Sequence, residues 1–157
     1  MMINSIRIER MADHVGLLPL LKVWFQSEWP AYYGQGGSGD VESDLRAYSN
    51  GRGLPVGLVA FRDNEACGVA ALKLESIATR ADIGPWAGAG FVPPQHRRQG
   101  IGARLLGSVE TAAREHGFPR IYCATSTSAS LLERNAWLLL ERVSHDGALI
   151  SIYEKAL

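Results

Sequence analysis

The chain has 157 residues, of which 46% are hydrophobic and 20% charged. This composition is typical of one globular domain, spanning residues 1–157, and excludes a disordered chain. The 16 basic and 16 acidic residues give a formal net charge of zero, which argues against a general nucleic-acid-binding protein because such domains are clearly basic.

Membrane, export and metal signals are lacking. No apolar run reaches the length of a membrane span, and residues 1–10 have no apolar signal-peptide core, so we expect a cytoplasmic protein with no nucleic-acid or membrane partner. The two cysteines and four histidines show no ligand spacing. We therefore expect no bound metal, and we expect Cys67 and Cys123 to be reduced and buried.

Hydrophobic periodicity and turn residues divide the first half of the chain into strand-like and helix-like segments. The predicted elements are a strand at 5–9, a helix capped by Asp13 and ending at Glu28, a flexible loop at 31–39, a helix from Asp40 to Asn50, and a hairpin of strands 54–61 and 66–74. Pro19 lies in the early turns of the first helix and predicts a displaced or kinked start as the alternative.

The second half contains a long amphipathic helix between two strands, followed by a short helix and a hairpin. Gly88 and Gly90 predict a bulge or a close backbone approach in the first of these strands, and Glu110 with Arg114 predicts an i,i+4 ion pair on the exposed helix face. The predicted elements are a strand at 86–92, a helix from Gly100 to His116, a strand at 120–125, a short helix capped within residues 126–130, where Ser130 and Glu133 have capping-box spacing, and strands 138–143 and 148–153.

The resulting order β-α-α-β-β-β-α-β-α-β-β predicts an α/β (α+β) fold, in which a mixed sheet carries helices on its faces.

The stretch from Val92 to Leu106 combines a strand end, a basic loop, two glycines and a helix start. Backbone N–H groups at a helix N-terminus have no partner within the helix and attract anions. Gly100 and Gly102 leave room for a phosphate to approach the backbone, and Arg97 and Arg98 supply charge. A dinucleotide fingerprint is disfavoured because Leu105 stands at its third glycine position, and a Walker loop is disfavoured because no Gly-Lys-Ser/Thr follows.

The segment Arg97-Arg98-Gln99-Gly100-Ile101-Gly102 resembles the coenzyme-binding signature of the GNAT acetyltransferase superfamily, Arg/Gln-x-x-Gly-x-Gly/Ala. Val92-Pro93 before it and Leu105-Leu106 after it resemble the extended form of that signature. The element order is similar to the superfamily fold over essentially the whole chain. The resemblance therefore implies a mixed, mostly antiparallel sheet flanked by helices.

The resemblance also implies acetyl-CoA as the donor and an amine as the acceptor. Backbone N–H groups from Gln99 to Ala103 would cradle the pyrophosphate, and Phe91 and Val92 would pair with the pantetheine arm. The residues implied in coenzyme binding are Phe91, Val92, Arg97, Arg98, Gln99, Gly100, Ile101, Gly102, Ala103 and Thr125. For Thr125, a plain strand-end hydroxyl is the equal alternative.

A second signature of the superfamily, Leu-Tyr-Glu-Lys-x-Gly-Phe/Trp, is similar to residues 131–137 with two departures. Leu132 stands where a tyrosine often serves as general acid, so water or a hydroxyl (Ser128, Ser130 or Tyr122) would have to substitute. Ala136 stands where glycine closes the helix, and a left-handed alanine costs roughly 1 kcal/mol relative to glycine unless Asn135 takes that conformation.

The acceptor amine must be neutral to attack, so a general base is expected. Glu75 and Glu28 are the candidates, with Asp82 third, and a surface carboxylate is the alternative for each. Trp29, Tyr32 and Tyr33 are candidates for acceptor contact, with packing between the helices as the alternative. Asp40, Glu42 and Asp44 are candidates for facing a cationic acceptor, and a solvated helix start is the favoured alternative.

The sequence therefore predicts an N-acetyltransferase that passes acetyl from acetyl-CoA to a small-molecule or peptide amine by direct attack in a ternary complex. The alternative, motivated by Leu132, is a non-catalytic acyl-CoA-binding or regulatory module of the same fold. A different acyl donor or an O-linked acceptor stays open. A homodimer is an expectation from the superfamily.

Overall fold

The computed structural model describes residues 5–157 and contains one seven-stranded sheet flanked by helices. The strands are β1 (Ile6–Arg10), β2 (Val56–Arg62), β3 (Glu65–Lys73), β4 (Trp86–Phe91), β5 (Arg120–Thr125), β6 (Leu138–His145) and β7 (Ala148–Ala156). The helices are α1 (Leu18–Glu28), α2 (Pro30–Tyr33), α3 (Val41–Tyr48), α4 (Ile101–Glu115) and α5 (Ala129–Arg134).

The strand order is β1-β2-β3-β4-β5-β7-β6. Every neighbouring pair is antiparallel except β4 and β5, which are parallel and pair over only two positions, Trp86 with Tyr122 and Ala87 with Cys123. The α/β fold class with a mixed, mostly antiparallel sheet is therefore confirmed. The brief β4–β5 pairing means that the two strands part beyond Ala87.

Two hydrophobic clusters cover the two faces of the sheet. On one face, α4 packs against the strands through a cluster that includes Ile101 and Leu105. On the other face, α1 and α3 pack through a cluster that includes Phe25, Leu45 and Val69. The apolar stripes of these helices were readable from their 3.6-residue period, which explains why the layer arrangement agrees with the prediction.

The first helix begins later than predicted. Asp13 is not its N-cap, because Asp13 ends a 3₁₀ turn at Met11–Asp13, and a second 3₁₀ turn follows at Val15–Leu17. The helix starts at Leu18. Proline is compatible with the first turn of a helix, because the N–H that it lacks would have no helical acceptor there. Pro19 therefore favours a helix that starts next to it, at Leu18.

The predicted loop at 31–39 begins with a helical turn, α2, so the prediction of a loop from residue 31 is wrong. The following chain folds back on this turn: the Gly39 N–H donates to the Tyr32 carbonyl at 2.8 Å. A Cβ built on Gly39 would lie 2.3 Å from Cε2 of Tyr32. A side chain at residue 39 would therefore clash with the ring of Tyr32, and glycine allows the close approach.

The α5 helix starts at Ala129, and its N-cap position is Ser128, within the predicted capping range, although the Ser128 side chain makes no capping hydrogen bond. The capping box at Ser130 is wrong, because Ser130 lies inside the helix, where its Oγ accepts from Arg134 at 2.6 Å. Ala136 has φ of +68°, so alanine itself takes the left-handed conformation. Asn135 has φ of −104° and does not replace it.

Glu110 departs most from its predicted place. Its pairing with Arg114 is present, at 3.8 Å between Oε1 and Nη2. Glu110 is nevertheless only 5% exposed, and it accepts from Trp137 Nε1 at 3.1 Å and from Lys155 Nζ at 2.8 Å. The residue therefore belongs to an internal polar network and not to the exposed helix face.

Candidate active site

Because β4 and β5 part beyond Ala87, a cleft of about 950 Å³ opens between them. One end of this cleft reaches the start of α4, and the other reaches the end of α1 and the aromatic turn α2. Strands that part leave backbone N–H and C=O groups without a ladder partner. The cleft therefore offers an extended ligand both backbone hydrogen bonds and an apolar wall.

The wall of the cleft is irregular along β4. The register against β3 shifts between Val69 and Ala71, and Ala89 has φ of +52°. This confirms the predicted bulge, although the left-handed residue is Ala89 and not one of the flanking glycines. A bulge re-aims backbone groups, here on the strand that faces the cleft.

The N-terminus of α4 forms one end of the cleft. Gly100 precedes the helix with φ of +81°, and the first helical hydrogen bond runs from Arg104 N to Gly100 O at 3.1 Å. The N–H groups of residues 101–103 therefore have no acceptor within the helix. Together with the helix dipole, they make a site for an anion such as a phosphate.

In the basic loop before α4, the side chains of Arg97, Arg98 and Gln99 have different surroundings. Arg97 is held by β4, because its Nε donates to the Val92 carbonyl at 2.8 Å and its guanidinium lies 5.9 Å from the Phe91 ring centroid. Gln99 is tied to the β2–β3 hairpin, because its Oε1 accepts from Arg62. Arg98 is exposed and left-handed, with φ of +61°.

His96 is a lining residue that the sequence did not single out. It is buried, and its Nε2 lies 3.4 Å from the Glu65 carboxylate of the hairpin. Its place in a proline-bounded 3₁₀ turn directly before the arginines was the only available signal.

Cys123, Thr125 and Leu132 line the middle of the cleft. Cys67 is buried as predicted, whereas Cys123 is only partly exposed to solvent and not fully buried. Burial raises the pKa of the Cys123 thiol to about 12, so the thiol stays protonated and is a poor nucleophile. Thr125 Oγ1 accepts from the backbone N–H groups of Thr127 and Ser128 at 3.1 and 2.8 Å. Leu132 is 1% exposed and has no proton to donate.

The predicted acceptor aromatics all line the far end of the cleft. Trp29 packs edge-on against Phe25, with centroids 5.2 Å apart, and Tyr32 packs edge-on against Tyr33 at 4.7 Å. The Tyr33 hydroxyl donates to Asp44 at 2.7 Å. Burial, together with this hydrogen bond, raises the pKa of the Tyr33 phenol, so the phenol stays neutral.

The two candidate bases lie in different places. Glu28 ends α1, is exposed, and lines the acceptor end of the cleft. Glu75 is exposed in the segment after β3 and is not among the lining residues, although the neighbouring Ser76 is. The third candidate, Asp82, pairs with Arg80 at 3.0 Å outside the cleft lining.

Lys73 was missed as a functional candidate. Lys73, the last residue of β3, lines the cleft, and burial lowers the pKa of its ammonium while Asp44 opposes part of that decrease. The sequence offered little signal, because Lys73 reads as the polar end of an apolar strand. Asp44, one of the acidic candidates, is not among the lining residues.

The described part of the chain has neither a cluster of side chains that could hold a metal ion nor a helix that could cross a membrane. Residues 5–157 contain no cluster of three or more histidine, cysteine or acidic side chains arranged to hold a metal ion. No helix among these residues is long and apolar enough to cross a membrane.

Comparison with known proteins gives a family match and a fold match. The sequence model described as the acetyltransferase (GNAT) family matches residues 20–134, which is more than half of the chain. No curated protein sequence matches the chain.

Solved structures similar to this one share its fold at low identity. An aminoglycoside 6'-N-acetyltransferase complexed with coenzyme A has a TM-score of 0.75 at 14% identity, covering 96% of each chain. An agmatine N-acetyltransferase has a TM-score of 0.72 at 15% identity, covering 97% of this chain and 99% of the other. A ribosomal-protein-alanine N-acetyltransferase from Brucella melitensis has a TM-score of 0.68 at 18% identity, with coverages of 98% and 99%.

Proposed function

The chain belongs to the acetyltransferase (GNAT) family and is an acetyl-CoA-dependent N-acetyltransferase, and we propose that it passes the acetyl group to a primary amine by direct attack in a ternary complex. The observation that carries this proposal is the cleft between β4 and β5, which joins an anion site at the start of α4 to an aromatic acceptor end.

The coenzyme is proposed to bind with its pyrophosphate on the N–H groups of residues 99–103 at the start of α4. Arg98, which is exposed beside them, supplies the free cation. Arg97 contributes indirectly, because its hydrogen bond to Val92 and its contact with Phe91 fix the end of β4. The pantetheine arm then runs along β4, with Thr125 facing it from β5, and the thioester lies toward the point where the strands part.

Direct attack is favoured over a covalent acetyl-enzyme. Cys123 is the one cysteine that lines the cleft in the described chain. Burial raises the pKa of its thiol to about 12, and the thiolate is the nucleophilic form. The acetyl group therefore passes straight from sulfur to the acceptor nitrogen, and the cleft has to hold both substrates at once.

The acceptor end supports an amine. Trp29, Tyr32 and Tyr33 provide flat apolar faces, and Glu28 provides a carboxylate that lines the same end of the cleft. Asp44 is not a lining residue and accepts the hydrogen bond that orders the Tyr33 hydroxyl. Aromatic faces and carboxylates both attract ammonium groups. The similar structures named above are described by acceptors that carry amino groups, namely aminoglycosides, agmatine and an alanine of a ribosomal protein.

Two measurements test the proposal. Calorimetric titration with acetyl-CoA is expected to show binding, and a thiol-release assay across polyamines, aminoglycosides, amino acids and peptides is expected to find a substrate amine. Initial velocities with that amine should intersect on double-reciprocal plots, as a ternary complex requires. Binding without release for any amine would favour the non-catalytic module instead, and parallel lines would indicate an acetyl-enzyme.

A further inference from the structure

Lys73 lies across β4 at the point where the cleft opens. A Cβ built on Gly88 would lie 2.9 Å from Lys73 Cδ and 3.8 Å from its Nζ, so the lysine side chain passes directly over this glycine. Gly88 follows Ala87, the last residue of β4 that pairs with β5. The amine of Lys73 is therefore close to the place where the proposed binding mode puts the thioester.

The three lysines of the chain differ in their partners. Lys22 Nζ lies 2.7 Å from Glu42, and Lys155 Nζ lies 2.8 Å from Glu110. The Lys73 ammonium, by contrast, makes no hydrogen bond or ion pair within residues 5–157. Lys73 is partly buried, and partial withdrawal of an ammonium from water without a partner shifts its equilibrium toward the neutral form.

The groups around Lys73 do not reverse this tendency. Asp44 on α3 acts on Lys73 electrostatically from beyond ion-pair distance and offsets part of the burial effect. Burial raises the pKa of the phenols of Tyr33 and Tyr48, so these neighbours are uncharged. Glu28, at the end of α1, is exposed to solvent.

We propose that Lys73 is the general base that deprotonates the acceptor amine, an inference that rests on the proposed acetyl transfer. The neutral Nζ takes one proton from the acceptor ammonium. The freed lone pair attacks the thioester carbonyl carbon, a C–N bond forms, and the C–S bond breaks with its electron pair going to sulfur. One N–H proton of the new amide nitrogen passes to the thiolate, and Lys73 then returns its own proton to solvent.

Lys73 suits this role better than either carboxylate candidate. Glu75 is not among the lining residues, and Glu28 is exposed to solvent. A desolvated lysine holds a free lone pair nearer to neutral pH than an exposed lysine does, and this is where a general base is most effective.

The first test needs no acceptor. Brief pulses of acetic anhydride label neutral amines, so the pH at which each lysine reaches half of its maximal labelling follows its free-amine fraction. Peptide mass spectrometry of the folded protein is expected to show that Lys73 reaches half-maximal labelling at a lower pH than Lys22. Unfolding the protein in urea should remove this difference between the two lysines. Equal half-labelling pH values in the folded protein would overturn the proposal.

The second test uses Lys73→Arg, which stays charged and cannot act as a base, and Lys73→Met. With the amine that gives the most thiol release, both variants are expected to lose about 10²- to 10⁴-fold in kcat. Their residual rate should keep rising with pH, because only amine that is already deprotonated can react. The Kd for acetyl-CoA should be unchanged, and Lys22→Arg should match the wild-type protein.

A role for Lys73 in binding an anionic group of the acceptor would give a different result. Lys73→Arg would then stay active, and Lys73→Met would raise KM with little change in kcat, which would overturn the assignment of the base while leaving acetyl transfer intact. Absence of turnover in the wild-type protein would instead overturn the proposed function itself.

Discussion

The indole Nε1 of Trp137 donates to the carboxylate of Glu110 at 3.1 Å, and both side chains are buried. This bond links the middle of α4 to the residue that directly follows the left-handed turn at Ala136. Lys155 joins the same carboxylate from β7 and also donates to the Asn135 carbonyl at 2.9 Å. The network thus fixes the connection between α5 and β6 against α4, whose N-terminus we propose as part of the coenzyme site.

Replacing Glu110 should destabilise the fold strongly. Glu110→Ala leaves the Lys155 ammonium and the Trp137 indole without their acceptor, and breaking a buried ion pair costs about 3 kcal/mol. Urea denaturation should show this loss. Glu115→Ala, an exposed change on the same helix, should stay within about 0.5 kcal/mol of the wild-type protein. Similar small effects for both variants would contradict the network's importance.

Ala136→Gly should stabilise the protein by about 1 kcal/mol, because glycine adopts a φ of +68° without the steric cost that alanine pays. The free energy of unfolding in urea measures this. Gly117→Ala is the matched change of opposite sign, since Gly117 has φ of +83° after α4, and it should destabilise. If both changes had the same sign, the left-handed conformation at residue 136 would be in question.

Gly102→Leu should weaken acetyl-CoA binding by more than about tenfold in Kd, or about 1.4 kcal/mol. A side chain there would crowd the N–H groups of the α4 N-terminus, while its own Cβ meets Leu131 Cδ2 only at an ordinary 3.5 Å. Gly107→Leu gives the same gain in helix propensity at an exposed site with nothing within 4 Å. Titration calorimetry should find the Gly107 variant unchanged, and equal losses would argue against a pyrophosphate site at residue 102.

Stability should fall at alkaline pH through Cys123. Burial raises the pKa of its thiol to about 12 in the folded protein, against about 8.5 when unfolded. The unfolded thiol therefore ionises first, so the contribution to stability is complete below about pH 8.5 and is lost as pH rises toward 12. Relative to Cys123→Ser, wild-type stability should decline by about 1.4 kcal/mol per pH unit in this window.

If the free energies of unfolding of the wild-type protein and Cys123→Ser changed in parallel with pH, the Cys123 thiol would not be withdrawn from water in the folded protein. Cys67 is unchanged in both, so its own raised thiol pKa cancels from the comparison.

The helix N-terminus that we propose for the coenzyme was predictable as a structural element because its signals are local. Gly100 and the start of α4 adjoin in sequence, and a helix N-terminus binds anions wherever it occurs. The turns that end other elements are local in the same way, because Asp146 and Gly147 between β6 and β7 and Gly117 after α4 have positive φ at residue types that favour turns.

Residues with distant partners were not predictable. Glu110 looked like half of an exposed pair with Arg114, but its other partners lie 27 and 45 residues away. Lys73 acquires its character from Gly88 on β4 and Asp44 on α3, neither of which its strand pattern reveals. One sequence shows periodicity along each element, whereas these environments arise only when elements are packed together.

The brief pairing of β4 with β5 also has a mechanical consequence. All of β1 to β4 precedes residue 92 and all of β5 to β7 follows residue 119, so the weak seam in the sheet coincides with one division of the chain. Two ladder positions join the halves, and α4 packs in the same cluster as side chains from both. When the two halves are pulled apart mechanically, the sheet should therefore separate along the cleft between β4 and β5, and the packing of α4 against both halves should resist that separation.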